Sequence, residues 1–169
     1  MEPQAVHLDQ IHFLAGVRGS SWLGHSTARC LNFPPEYKYL GPFQDVPRRA
    51  FFRDVVLIVL KDALNDIAPL ELDRAEVQSS DVSLVHAAYP ADWRYVLTGH
   101  FGCHLVAHDQ DLWFTDCDAH PASSGGPVFI QRKEGLKLAA IMVGVTGTSG
   151  SVAVPVANWI DVVAERNCP

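Results

Sequence analysis

Short apolar segments alternate with turn-forming residues along almost the whole chain. The segments are rich in valine, isoleucine, leucine and aromatic residues, a pattern typical of β-strands that are buried on at least one face. No apolar stripe with a 3.6-residue period persists over three turns before the C-terminus. The pattern therefore predicts an all-β protein, either a sandwich or a barrel. The candidate strands are residues 11–15, 21–29, 54–60, 83–88, 95–106, 112–115, 128–131, 137–145 and 151–156.

Three stretches depart from this pattern. Residues 156–167 place Val156, Ile160, Val163 and Ala164 on one helical face and predict a closing helix. Residues 32–53 carry four prolines and predict a long surface loop, which is either functional or poorly ordered. Residues 65–82 resemble a linker, so we expect two halves, residues 1–64 and 83–169, joined by it.

Composition narrows the classes of function. The 169 residues are 48% hydrophobic and 19% charged, which fits a folded globular chain. The net charge is -6 and no basic cluster exceeds Arg48-Arg49, so binding of nucleic acid is disfavoured. The longest apolar runs, 55–60 and 138–145, are far shorter than the roughly 20 residues of a membrane helix. Residues 1–10 lack both the basic region and the apolar region of a secretory signal peptide, so we expect no such signal in this sequence.

The four cysteines, Cys30, Cys103, Cys117 and Cys168, include no CxxC pair, which argues against a zinc-ribbon or thioredoxin-like site. Cys103 and Cys117 flank a turn signal at residues 109–111. Two strands joined there could bring these cysteines face to face as a disulfide. Two buried thiols are the equally favoured alternative, since the redox compartment is unknown.

The candidate chemistry lies in residues 114–127, FTDCDAHPASSGGP. Ser124 is followed by Gly125 and Gly126, and small residues let the backbone turn sharply and let a substrate approach the hydroxyl. Backbone N–H groups around such a serine can converge on a developing oxyanion. An ordinary glycine-rich turn is the alternative.

Taken in order, these segments resemble a trypsin-like (chymotrypsin-fold) serine protease, of the bacterial kind related to glutamyl endopeptidases. Asp54 heads DVVLIVL, which resembles the family's catalytic-aspartate strand, and AAYPAD at 87–92 resembles its Gly-Tyr/Trp-Pro turn. TDCDAHPASSGGPVF is similar to the nucleophile segment, and VGVTGTSGSVAVPVANW to the strand pair that lines the substrate pocket. The resemblance implies a double six-stranded antiparallel β-barrel whose first barrel is incomplete, with a C-terminal helix.

The resemblance also implies roles for single residues. Ser124 would attack the scissile carbonyl, Asp54 would orient a histidine base, and the N–H groups of Ala122 and Ser124 would form the oxyanion hole. The substrate pocket would use Asp118, Thr146 and Gly147. The implied partner is a polypeptide substrate or a protein ligand, and neither a cofactor nor a metal is expected.

The histidine base is where this sequence departs from the family. The T-A-A-H-C motif is absent, and two hypotheses follow. In the first, WLGHST replaces the motif and His25 is the base. In the second, which we favour, residues 11–37 match the strands that follow the motif, so His25 faces away from the triad and the chain lacks the first strands of its N-terminal barrel. Activity would then be weak or absent, and a non-catalytic protein that binds protein or peptide is the alternative function.

Smaller features carry weaker expectations. Ala122 stands where the family has glycine, and Ser123 stands where classical trypsins have aspartate. His100, His104 and His108 would share a strand face but spread over ~27 Å, which is too far for one metal ion. The family is exported, although no export signal is visible in this sequence.

Overall fold

Two antiparallel β-sheets make up most of the structure. The computed structural model describes residues 7–35, 37, 53–75, 77, 82–109, 111–147 and 150–164. The strands are β1 (His12–Ala15), β2 (Gly24–Asn32), β3 (Leu57–Leu60), β4 (Ser83–Ala88), β5 (Thr98–Asp109), β6 (Leu112–Thr115), β7 (Pro127–Arg132), β8 (Gly135–Thr146) and β9 (Gly150–Pro155). The expectation of an all-β chain is confirmed, and each candidate strand of the sequence overlaps one of these nine strands.

Strands β1, β2 and β3 form a three-stranded sheet in that order. β1 and β2 are joined by a tight turn, in which Gly16 and Gly19 adopt the left-handed conformation with φ of 62° and 60°. Because this turn extends to Leu23, whose N–H donates to the Ala15 carbonyl, β2 begins at Gly24 rather than at the expected residue 21. β3 likewise begins at Leu57, so Asp54 lies before the strand.

The remaining strands close into a barrel in the order β4-β5-β6-β9-β8-β7. All of its neighbouring strands are antiparallel. Alternate side chains along these strands point inward and exclude water, which supplies the main stabilisation. The fully buried members of this core include Leu84, Val128, Ile130, Ala140 and Ala153.

The segment expected to be a linker is attached to the barrel over part of its length. Leu72 forms a parallel bridge to Leu138 of β8, with hydrogen bonds from Asp73 N–H to the Leu138 carbonyl and from Leu138 N–H to the Glu71 carbonyl. The buried Asp73 carboxylate also accepts a hydrogen bond from the Arg132 side chain at 2.7 Å. We call residues 71–75 the strap.

The C-terminal segment is less regular than the helical pattern predicts. A 3-10 turn over Val156–Asn158 precedes α1 (Ile160–Ala164). Pro155, with no backbone N–H, ends β9 and precedes the turn. The rest of the expected helix, and most of the expected loop at 32–53, lie outside the described residues.

Cys103 and Cys117 form a disulfide that joins β5 to the segment after β6. Both residues are buried in the barrel core. Of the two alternatives that the sequence leaves open, the structure therefore has the disulfide. Cys30 is also disulfide-bonded.

Among the described residues, no helix has the length and apolar character needed to cross a bilayer.

Candidate active site

Ser124 lies at the tip of a loop, residues 116–126, that connects β6 to β7. Its side chain is exposed. The residues around it turn the backbone sharply, since Ala122 has φ of 68° and Gly125 has φ of 85°. Glycine adopts such a conformation freely, whereas the Cβ of alanine makes it strained by roughly 1–2 kcal/mol. The loop therefore presents Ser124 by means of one glycine and one strained alanine.

Ser123 fixes the shape of this loop from the inside. It is buried, its Oγ accepts a hydrogen bond from the His120 N–H at 3.1 Å, and its own N–H donates to the His120 carbonyl at 2.9 Å. Its carbonyl in turn accepts from the Gly126 N–H at 2.9 Å. The sequence marks Ser123 only as a departure from trypsin, and this structural role becomes visible only with the loop folded.

Strand β8 holds the other side of the loop. The Gly125 N–H donates to the Met142 carbonyl at 2.7 Å, and the Met142 N–H donates to the Gly126 carbonyl at 2.9 Å. Ser124 Oγ donates to the Val143 carbonyl at 3.4 Å, a long and therefore weak hydrogen bond. The hydroxyl is thus oriented by backbone and not by a base.

Two backbone N–H groups beside the serine have no acceptor among the described residues. The N–H groups of Ser123, Gly125 and Gly126 all make hydrogen bonds, whereas those of Ala122 and Ser124 make none. These two groups are the ones expected from the sequence to face an oxyanion. Because Ala122 keeps its N–H, the replacement of glycine removes no donor.

Gly126 fits into a slot with no room for a side chain. A Cβ built on it would lie 2.7 Å from the Ala87 carbonyl oxygen, 2.8 Å from the Ser123 carbonyl oxygen and 2.9 Å from His86 Cε1. Real Cβ atoms do not approach other atoms this closely, so only glycine can occupy this position without a backbone shift.

Asp54, the expected orienting carboxylate, makes no hydrogen bond or ion pair with any described residue. More than a third of its surface is exposed, yet the atoms around it partly desolvate the carboxyl and raise its pKa above the ordinary value. Nothing in the described residues offsets this shift.

His25, the candidate base, is bound to another histidine. His25 Nε2 lies 2.8 Å from His12 Nδ1, and the ring planes are 7° apart with centroids separated by 5.0 Å. Parallel rings that stack face to face keep their atoms about 3.5 Å apart, so these two rings meet edge to edge and share one hydrogen. The nitrogen that would serve Ser124 is therefore already used on the exposed face of β1 and β2.

Among the described residues, no hydrogen bond or ion pair joins the three expected triad members to one another. Ser124 bonds to Val143, His25 bonds to His12, and Asp54 has no partner. No described histidine donates to or accepts from Ser124 Oγ.

Of the expected pocket residues, Asp118 lies in the serine loop, and Thr146 and Gly147 lie at the end of β8. The Asp118 N–H donates to His100 Nδ1 at 2.8 Å. The Asp118 carboxylate lies 3.5 Å from the same nitrogen and is largely exposed. Because Nδ1 accepts this N–H, it carries no proton and does not form an ion pair with the carboxylate. Thr146 ends β8 opposite Gly150, and Gly147 follows it with φ of 61°.

The remaining histidines occupy separate places. His104 lies beside Asp116, and the His120 ring packs edge-on against Trp93 at 5.8 Å. Within the part of the chain that the structure describes, no group of three or more His, Cys, Asp or Glu side chains could hold a metal ion.

Comparison with known proteins adds one finding at the level of the fold. The chain is similar to the crystal structure of the protease Anisep from Arthrobacter nicotinovorans, with a TM-score of 0.62 and 15% sequence identity. The match covers 91% of this chain and 74% of Anisep. The chain shares its fold with a protease. No protein-family model matches the sequence, and no curated protein matches it, so at this identity the similarity carries the fold alone.

Proposed function

We propose that residues 116–126 form the acyl-transfer loop of a trypsin-like serine endopeptidase related to glutamyl endopeptidases, with Ser124 as the nucleophile. The observation that carries the proposal is the arrangement around Ser124. An exposed hydroxyl stands between two left-handed residues, and the two adjacent N–H groups that would bind an oxyanion make no other hydrogen bond among the described residues. The protease-like fold supports this proposal.

Each group would have a defined role in peptide-bond hydrolysis. Ser124 Oγ would attack the scissile carbonyl of a bound polypeptide, and the N–H groups of Ala122 and Ser124 would stabilise the oxyanion. Asp54 would orient a base, as in other triads. The attack also requires that a base remove the Oγ proton, because serine is a weak nucleophile at neutral pH.

Hydrolysis by this chain should be slow, because no described histidine makes a hydrogen bond to Ser124. Triad members act as a unit, and loss of the histidine lowers turnover by several orders of magnitude while binding and the oxyanion hole remain. A non-catalytic role in binding protein or peptide is the second candidate function. The pairing of His25 with His12 supports it, since this pairing engages the ring nitrogen that His25 would need as a base.

Labelling by a fluorophosphonate tests the proposal. We expect peptide mapping by mass spectrometry to locate slow labelling at Ser124 and to find none there in Ser124→Ala. His25→Ala should leave the labelling rate unchanged, as should the surface control His108→Ala. Rapid labelling that disappears in His25→Ala alone would instead identify His25 as the base and overturn the slow-hydrolysis claim. The absence of any labelling at Ser124 would favour the binding function.

A further inference from the structure

His86 is a buried histidine directly beneath the loop that carries Ser124. It lies on β4, where it is 3% exposed, opposite Val128 of β7 and His100 of β5. Its Nδ1 atom is 3.2 Å from the Pro127 carbonyl oxygen, and Cε1 forms one wall of the slot that holds Gly126. The imidazole therefore contacts the two residues by which the loop enters β7.

The hydrogen bond to Pro127 determines the tautomer of this ring. A carbonyl oxygen only accepts, so Nδ1 must carry the hydrogen. Desolvation by burial lowers the pKa of His86 and outweighs the hydrogen bond to Pro127, which raises it, so the ring is neutral at physiological pH. Nε2 is consequently a bare acceptor, and no described residue makes a hydrogen bond to it.

An unpaired, buried acceptor is unfavourable, and an apolar side chain of similar size would avoid that cost. Such an apolar residue could not fully replace two contacts of His86. They are the hydrogen bond at Nδ1 and the contact of the Cε1 edge of the ring with Gly126. Pro127 has no N–H of its own, and its carbonyl is the first acceptor of β7 after the serine loop. His86 therefore fixes the point at which the loop becomes a strand.

We propose that His86 is a positioning residue for Ser124: its Nδ1–H holds the Pro127 carbonyl and its ring confines Gly126, so that the loop presents the serine in one place. The residue acts through Gly126 and Pro127, and not on a substrate. The inference concerns the loop of the proposed function, but it can be tested without any catalysis.

Nitrogen-15 NMR of the imidazole tests the tautomer in the unmodified protein. We expect Nδ1 to be protonated and Nε2 to be bare. A ring with its hydrogen on Nε2 would overturn the proposal. This result does not depend on whether Ser124 reacts.

Two substitutions separate positioning from simple packing. His86→Asn keeps an N–H donor near the Nδ1 position, whereas His86→Leu keeps the volume and removes the donor. We expect amide hydrogen exchange at Gly125 and Gly126 to accelerate about tenfold in His86→Leu and to remain close to wild type in His86→Asn, since one hydrogen bond is lost only in the first.

Ser151→Ala is the matched control, because it removes a buried hydroxyl of the same barrel that bonds to Thr115 and not to the loop. It should leave exchange at Gly125 and Gly126 unchanged. Equal exchange rates in His86→Leu and His86→Asn would contradict the proposal. If His86→Leu does not fold, Gly126→Ala tests the same contact: the added methyl should shift the His86 ring signals, and unshifted signals would contradict it.

Discussion

Ala122 shows how one residue can adopt the conformation of a glycine at an energetic cost. Its φ of 68° lies in the left-handed region, and its N–H and that of Ser124 have no acceptor among the described residues. The sequence shows only an alanine where the resemblance implies a glycine, and it leaves the backbone conformation at this position open. In the structure this alanine adopts the left-handed conformation, so the strain lies at the candidate oxyanion hole, as is common at functional sites.

Ala122→Gly should therefore stabilise the protein. Relief of the left-handed strain contributes roughly 1–2 kcal/mol, and the greater flexibility of glycine in the unfolded chain offsets about 0.4–1 kcal/mol of it. We expect a net gain of about 1 kcal/mol in the free energy of unfolding, measured by urea denaturation. Ala157→Gly is the control, since Ala157 is exposed and lacks a positive φ, and it should lose stability. A loss of stability in Ala122→Gly would show that the residue is not strained.

At the scale of elements, the strap is stabilised against the barrel by a buried carboxylate. Asp73 accepts hydrogen bonds from Arg132 and from the Ala75 N–H, and the Arg132 hydrogen bond is the main reason that its pKa lies below the ordinary value. The strap also pairs its backbone with Leu138 of β8. Lys137 and Glu71 form a second ion pair nearby at 3.0 Å, but the Glu71 side chain is largely exposed.

Arg132→Gln should cost about 2 kcal/mol in the free energy of unfolding, because it leaves the buried Asp73 carboxylate without its charged donor. Lys137→Gln, the matched control, should cost clearly less, since exposed ion pairs contribute little. Thermal or urea unfolding of both variants checks this. Equal losses would mean that the Asp73 ion pair behaves as an exposed one.

The same carboxylate gives a signed dependence on pH. A carboxyl whose pKa is lower in the folded state stabilises the protein above the unfolded value of about 3.9, and this contribution is lost as the pH falls through the folded pKa. Asp73→Asn should therefore be less stable than wild type at neutral pH, and the difference should shrink as the pH falls below about 4. A difference that stays constant down to pH 2 would contradict the assignment.

Local patterns were enough to predict most of the elements, since strand alternation and turn residues act over a few positions. Residues 83–88 and 112–115 were predicted to their bounds. β2 and β3 begin later than predicted. The residues before each of these strands continue the apolar pattern but do not pair with another strand. Ser124 could be singled out because its motif is local. Two other contacts join residues that are far apart in the sequence, which no local pattern reveals. His12 and His25 are 13 positions apart, and Asp73 of the strap and Arg132 are 59 positions apart.

At the scale of the whole molecule, the two sheets meet close to the turn between β1 and β2. Tyr89 donates its hydroxyl to the Val17 carbonyl at 2.9 Å, and the Gly19 N–H donates to the Tyr95 carbonyl at 3.0 Å. The second contact uses Tyr95 in the left-handed conformation, with φ of 69°. The segment 89–97 thus reaches from the three-stranded sheet to the serine loop, where the Ala91 N–H bonds to the Pro121 carbonyl.

Across the whole molecule, the Ser124 hydroxyl is exposed, but no described histidine makes a hydrogen bond to it. A small imidazole that diffuses into the site should be able to replace the absent base. The direct measurement is the rate of fluorophosphonate labelling at Ser124, with and without added imidazole, and with Ser124→Ala as the control. A positioned base contributes about 10²–10⁴-fold in catalysis, so we predict an acceleration of at least about tenfold at Ser124. Fast labelling without imidazole, or slow labelling that imidazole does not change, would contradict the account.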